Sequence, residues 1–196
     1  MPIGIALAGG RGRRMGGEKA TVELEGRALL TYPVAALRSV LTDVVVVAKA
    51  DTLMPELTGV SAIWLERDET PHPLTGIAHA LAVSAGRSVL VCAGDLPLMT
   101  AAVLQALLDA RLRSDAAVVP RVAGRLQPLC AIYSPAALPA LASRSPSAST
   151  TDVVLTLDPR VIELDDEDAF YNVNAPEDLL RAAALLDARR QTRSSR

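Results

Sequence analysis

Ile3-Gly4-Ile5-Ala6-Leu7-Ala8-Gly9-Gly10-Arg11-Gly12-Arg13-Arg14-Met15-Gly16-Gly17-Glu18-Lys19 joins a short apolar run to a basic, glycine-rich loop. The run reads as a strand buried on both faces, because it is continuous rather than alternating. From Leu7 to Lys19 there are five glycines and four basic residues in thirteen positions. Glycine lets the backbone approach a ligand closely and adopt positive φ. Successive amides can then converge on an anion while Arg and Lys neutralise its charge. The alternative reading, a solvated turn, is disfavoured because ordering so glycine-rich a loop costs much entropy. Loops at the carboxyl ends of parallel strands are also where open α/β sheets bind ligands.

Two common phosphate loops do not fit. A dinucleotide fingerprint begun at Gly10 requires glycine where Met15 stands, and no acid closes the second strand at Val47 to Lys49. A P-loop begun at Gly12 reaches Gly17 in register. Glu18 then stands where lysine is required, and Ala20 follows Lys19 where Ser or Thr would hold a metal.

Working outward, similar apolar runs recur at Val44–Ala48, Ala62–Leu65, Val89–Ala93 and Ala116–Val119. Helical patterns separate them at Leu29–Leu41, Leu74–Ala85 and Ala101–Arg113, with Thr100 as N-cap of the last. Strand–helix–strand repetition predicts an α/β three-layer sandwich: a mostly parallel, Rossmann-like sheet with helices on both faces. A small antiparallel element is expected after Val119. Arg121–Arg125 reads as a turn, and Pro128–Tyr133 as a strand able to pair antiparallel with Ala116–Val119. A short helix at Pro135–Ala142, a serine-rich loop at Ser143–Thr151, helix at Val153–Leu157, a strand at Val161–Leu164 and a helix at Pro176–Arg190 complete the chain. Residues 1–190 are read as one domain and 191–196 as a flexible tail.

The chain has 196 residues, a formal net charge of −2, 50% apolar residues and only 3% aromatic ones. That balance offers no field for nucleic acid or an anionic membrane and little surface for base stacking. No apolar run approaches the roughly 20 residues needed to span a bilayer, and no signal peptide is visible before Ile3. Cys92 and Cys130 lie in apolar runs and read as reduced core residues rather than a disulfide or a nucleophile. A cytoplasmic location is expected.

Leu7, Ala8, Gly9, Gly10, Arg14, Met15, Gly16 and Lys19 together resemble the opening motif of the MobA-like nucleotidyltransferase family, L-A-G-G-x-x-x-R-M-G-x-D-K. This family includes the molybdenum cofactor guanylyltransferases. Glu18 stands where the family usually has Asp. Arg67–Gly76 resembles the acidic loop ending in G-P-L-x-G, with His72 in place of its Gly; by that match Asp68 lies near the base or ribose. His72 itself is read as an exposed turn residue. Cys92-Ala93-Gly94-Asp95-Leu96-Pro97 puts a carboxylate directly after a buried strand, a good hard-cation ligand. The family's corresponding Asp holds Mg²⁺ against the phosphates. Gln127-Pro128-Leu129 resembles a segment facing the second substrate. Phe170–Leu179 resembles the ending N-x-N-x-P-E-D/E-L, whose alternation puts Asn172 and Asn174 on one side of an extended segment, for the second substrate or the metal's water shell.

The resemblance implies transfer of GMP from GTP to the terminal phosphate of molybdopterin, with release of pyrophosphate. It assigns nucleotide binding to Leu7, Ala8, Gly9, Gly10, Gly12, Lys19, Asp68 and Asp95, metal binding to Asp95 and catalysis to Arg14, Lys19 and Asp95. It also implies transient contact with molybdenum-cofactor chaperones or acceptor enzymes. Cytidylyltransferase relatives usually read A-A-G where this chain has Ala8-Gly9-Gly10, which favours GTP. Against that, Val47-Ala48-Lys49 lacks the Asn that guanylyltransferases often carry. CTP-dependent transfer, another small-molecule nucleotidyltransferase, and a non-catalytic nucleotide-binding regulatory protein remain the competing expectations.

Overall fold

Val44, Val45, Val46 and Val47 are all buried, as β-branched residues are when helices cover both faces of a strand. The computed structural model describes residues 1–8, 19–66 and 72–194. In chain order its elements are β1 (Ile3–Leu7), β2 (Glu23–Leu24), β3 (Arg27–Ala28), α1 (Thr31–Arg38), β4 (Val44–Lys49), β5 (Ala62–Glu66), α2 (Thr75–Val83), β6 (Val89–Ala93), α3 (Ala101–Ala110) and β7 (Ala117–Val122). There follow β8 (Arg125–Leu126), β9 (Cys130–Tyr133), α4 (Leu138–Ala142), α5 (Thr150–Leu155), β10 (Arg160–Glu163) and α6 (Pro176–Ser194).

The main sheet has the order β10-β7-β9-β6-β1-β4-β5, with β8 hairpinned onto β7. β1 pairs parallel with both β4 and β6, and β4 pairs parallel with β5. β9 is antiparallel to both of its neighbours, β6 and β7, so the expected antiparallel element lies inside the sheet. On one face Ala6, Val46, Leu90 and Cys92 meet Leu37 of α1 and Leu104 and Leu107 of α3. On the other, Ile5, Val45, Val89 and Val91 meet Ile77 and Leu81 of α2 and Leu141 and Val154 of α4 and α5. These are the three layers expected of an α/β sandwich. The chain runs from β1 out through β4 and β5, then returns to β6 on the far side of β1. The order therefore reverses between β1 and β6, where such sheets leave a crevice at their carboxyl ends.

Four features depart from the sequence reading. β5 is an edge strand with Ile63 and Leu65 exposed, so the third apolar run is covered on one face only. The hairpin β2–β3 was not expected. It turns through Glu25 and Gly26, both at positive φ, and packs Leu24 and Leu29 against Val173 and Ala182. The serine-rich stretch ends in a helix start, since Ser149 caps α5 by accepting from the Asp152 amide. α6 reaches Ser194, beyond the expected end at Arg190. Thr100 does cap α3, accepting from the Val103 amide.

Cys92 and Cys130 are free, buried and opposite one another across β6 and β9. The Cys130 thiol beside it, together with burial, pushes the Cys92 thiol well above the ordinary range, so it remains neutral. Among the described residues no helix is long and apolar enough to cross a membrane.

Candidate active site

The crevice is closed at its base by backbone. At the end of β1 the Ala8 amide donates to the Val47 carbonyl at 2.8 Å, and the Leu7 carbonyl accepts from the Gly94 amide at 2.9 Å. Gly94 is needed there for close approach: a Cβ on it would lie 2.6 Å from the Leu7 oxygen and 2.9 Å from Leu30 Cδ1. This contact aims the next residue, Asp95, out over the carboxyl end of the sheet. The turn that follows is anchored from α6, where the Arg189 guanidinium donates to the Leu98 carbonyl at 2.6 Å and to Asp166 Oδ1 at 2.6 Å.

Three remote segments meet at Asp95. Lys19, at the start of a short 3-10 turn, donates from Nζ to Asp95 Oδ2 at 2.6 Å and to Asn174 Oδ1 at 2.8 Å. The Lys19 and Asp95 side chains are only 11% and 20% exposed, so the pair is shielded rather than a loose surface contact. The segment before α6 is held by the buried Val173, whose amide donates to the Asp95 carbonyl at 3.0 Å. Asn172 and Asn174 flank Val173 and are both exposed, on the side away from its buried side chain.

Asp178 fixes Asn174 in turn. Its Oδ2 accepts the Asn174 and Ala175 amides at 2.8 and 2.9 Å, and its Oδ1 accepts the Tyr171 hydroxyl at 3.0 Å. The Asn174 amide first, with the Tyr171 hydroxyl, the Ala175 amide and Lys19, holds the Asp178 carboxyl below the usual range. Read from sequence, Asp178 only complements the α6 dipole. The signal for its clamping role is its spacing from Asn174, which suits a carboxylate reaching back to the helix's first free amides.

Asp95 Oδ1 is buried and has no hydrogen-bond partner among the described residues. A desolvated carboxylate oxygen in that condition is costly, and it suits a hard cation. Among the described residues no group of three or more His, Cys, Asp or Glu could hold a metal ion unaided. A cation on Asp95 would therefore complete its shell from water and a substrate's phosphates, as Mg²⁺ commonly does.

The other sequence candidates fall as follows. Leu7 is half-buried and Ala8 buried, at the head of the crevice. Gln127 is half-buried; its amide donates to Pro120 and its carbonyl accepts from Cys130. The Ala93 amide donates to the Leu129 carbonyl at 2.8 Å, so the Gln127–Leu129 segment flanks the end of β6, although no hydrogen bond joins the Gln127 side chain to Lys19 or Asp95. Gly9, Gly10, Gly12, Arg14 and Asp68 lie outside the described residues. His72 corrects the reading of an exposed turn. It is half-buried, its Nε2 lies 3.0 Å from the Ala148 carbonyl, and its Nδ1 accepts from the Leu74 amide at 3.1 Å. Both ring nitrogens are thus engaged in tying the loop before α2 to the segment before α5.

Residues 4–159 match the MobA-like NTP transferase domain. The chain belongs to that family. Among MobA-like relatives, the molybdenum cofactor guanylyltransferase of Cereibacter sphaeroides is 34% identical over 191 residues, covering 94% of this chain and 96% of its own. A probable molybdenum cofactor guanylyltransferase of Methanosarcina mazei is 32% identical, covering 89% of this chain and 87% of its own. The crystal structure of molybdopterin-guanine dinucleotide biosynthesis protein A from Archaeoglobus fulgidus superposes with a TM-score of 0.74 at 25% identity, covering 94% of this chain and 98% of its own. The MobA-like match ends at residue 159. Asn174 and Asp178 therefore join the crevice from beyond the matched residues.

Proposed function

We propose that this protein transfers GMP from GTP to the terminal phosphate of molybdopterin, forming the guanine dinucleotide and releasing pyrophosphate. The observation that carries this reading is the Lys19–Asp95–Asn174 cluster at the sheet's switch point, with one Asp95 oxygen left unpartnered among the described residues. The curated relatives of matching length, themselves guanylyltransferases by name, supply the identity of the base and of the acceptor.

Asp95 would hold a divalent cation, with Mg²⁺ the expected ion for an all-oxygen shell. When bound, the cation would neutralise phosphate charge and withdraw electron density from phosphorus. Lys19 stands ready to exchange its carboxylate and amide partners for phosphate oxygens. The amides of Gly9, Gly10 and Gly12 and the guanidinium of Arg14 are assigned to the triphosphate, and Asp68 to the nucleoside. Asn172, Asn174 and Gln127 are assigned to the acceptor or to water around the cation.

An oxygen of the acceptor's phosphomonoester attacks the α-phosphorus, and the bond from that phosphorus to the β-bridging oxygen breaks. The electron pair leaves on pyrophosphate. The nucleophile is already ionised near neutral pH, so the protein need not remove a proton; its part is to position the reactants and neutralise charge.

Two measurements check this. With Mg²⁺ and molybdopterin, pyrophosphate release from GTP should exceed that from CTP by at least about a hundredfold, as for sites that hydrogen-bond their base. Equal use of CTP would remove the guanylyl assignment, and nucleotide binding without turnover would leave a binding protein. Lys19→Met should slow turnover about a hundredfold, the typical cost of one preorganised charge-stabilising donor. A variant turning over normally would take Lys19 out of the phosphate site.

A further inference from the structure

A second charged pair lies at the carboxyl edge of the sheet, and the reaction described above does not use it. Lys49 and Glu66 end β4 and β5 and are register partners across the two strands. Lys49 Nζ lies 3.4 Å from Glu66 Oε1, and the side chains are 16% and 7% exposed. The second carboxylate oxygen lies against the first turn of α2: a Cβ on Gly76 would meet Glu66 Oε2 at 3.2 Å and Leu7 Cδ2 at 3.0 Å. The Glu66 carboxylate and the Leu7 side chain therefore both pack against the first turn of α2, near the end of β1 where the glycine-rich loop departs. Among the described residues no hydrogen bond is made to Oε2.

Stability does not account for such a pair. Desolvating two charges roughly cancels their attraction, and apolar residues of similar volume serve a strand end equally well. Recognition does account for it. The pair presents one cationic donor beside two anionic acceptor positions. The Watson–Crick edge of guanine carries the complement: the O6 acceptor, then the N1–H and 2-amino donors. Cytosine carries one donor and two acceptors on that edge, and adenine a donor beside an acceptor. Either would set an acceptor against the Glu66 carboxylate.

We infer that the Lys49–Glu66 pair reads the guanine edge of the nucleotide, with Glu66 accepting from N1–H and the 2-amino group and Lys49 donating to O6. This rests on the guanylyl reading and makes these two residues its specificity determinants.

The test measures dissociation constants in Mg²⁺ by calorimetry, which needs no acceptor. Wild type and Glu66→Gln are titrated with GTP, ITP, XTP and CTP. Inosine lacks the 2-amino group. Xanthine carries a carbonyl in its place, which the glutamine amide can satisfy and the carboxylate cannot. Wild type should bind GTP about tenfold tighter than ITP and about a hundredfold tighter than XTP, as expected for one lost and one reversed base contact. Glu66→Gln should lower the GTP-to-XTP ratio at least about a hundredfold by weakening GTP and strengthening XTP. A variant that keeps the wild-type ratio, whether or not both nucleotides weaken, overturns the inference. If the variant does not fold, wild type alone decides: N1-methyl-GTP and ITP binding as tightly as GTP overturns it, and graded weakening supports it. A wild type that prefers CTP overturns the guanylyl reading and this inference together. A wild type preferring GTP with an unaltered Glu66→Gln ratio overturns the inference alone.

Discussion

Asp95→Asn should lower pyrophosphate release about a thousandfold while leaving a folded protein, at the upper end of what one group stabilising transition-state charge contributes. The amide has the shape of the carboxylate, and the backbone work of the residue does not depend on its side chain: the Asp95 carbonyl still accepts from Val173, and the Gly94 amide still donates to Leu7. What disappears is the charge. Lys19 keeps Asn174 and loses its anionic partner, and the unpartnered oxygen no longer attracts a cation. Turnover, thermal unfolding and Mg²⁺-dependent nucleotide binding measured together separate the possibilities. The expected pattern is lost turnover, weaker Mg²⁺ dependence and a small change in melting temperature. Wild-type turnover in the variant would take Asp95 out of the reaction. A large fall in melting temperature would make it structural.

Gly94→Ala should do the reverse, acting first on stability. The added methyl would lie 2.6 Å from the Leu7 carbonyl oxygen, and the nearest side-chain atom, Leu30 Cδ1, would be at 2.9 Å. Leu30 can shift by a rotamer, but Leu7 cannot. It ends a strand paired on both sides, with Val47 of β4 and Ala93 of β6. Relief must come from parting β1 and β6 at their ends, which breaks the Gly94–Leu7 hydrogen bond. Overpacking of this kind costs about 2–3 kcal/mol, a drop of about 5–10 °C in melting temperature for a domain of this size. Because Asp95 is the next residue, the same displacement moves its carboxylate away from Lys19, so turnover should fall as well. Scanning calorimetry of the variant checks the first effect. An unchanged melting temperature would mean that the strand ends are looser than the packing implies.

Legibility in the sequence followed how local each feature is. β1, β4 and β6 are continuous apolar runs because helices cover both of their faces, and they fall where composition puts them. β5 has the same composition but lies at the edge, and no run of residues announces its place in a sheet. The β2–β3 hairpin has strands of two residues each, too short for any period; its one signal is the Glu25-Gly26 pair at the turn. In the crevice, Asp95 was legible from a carboxylate following a buried strand, and Lys19, Asn172 and Asn174 from the motifs around them. The bond from Lys19 to Asn174 spans 155 residues, and that between His72 and Ala148 spans 76. Only tertiary structure brings such partners together, and for this reason the sequence reads His72 as exposed; the Asp178 clamp is local, three to seven residues long, and is legible in its spacing from Asn174.

The placement of β9 between β6 and β7 has a kinetic consequence. On a chain emerging from the ribosome, β1, β4, β5 and β6 can assemble as soon as residue 93 is free, but the β7–β8 hairpin has nothing to join it to β6 until residues 130–133 follow it out. Half the sheet must wait, its hydrophobic margin on β6 uncovered, for a strand that arrives out of turn; such non-local closure slows folding. Asn174 comes later still, so a nascent chain completes the surroundings of Lys19 only after 155 further residues have followed it out.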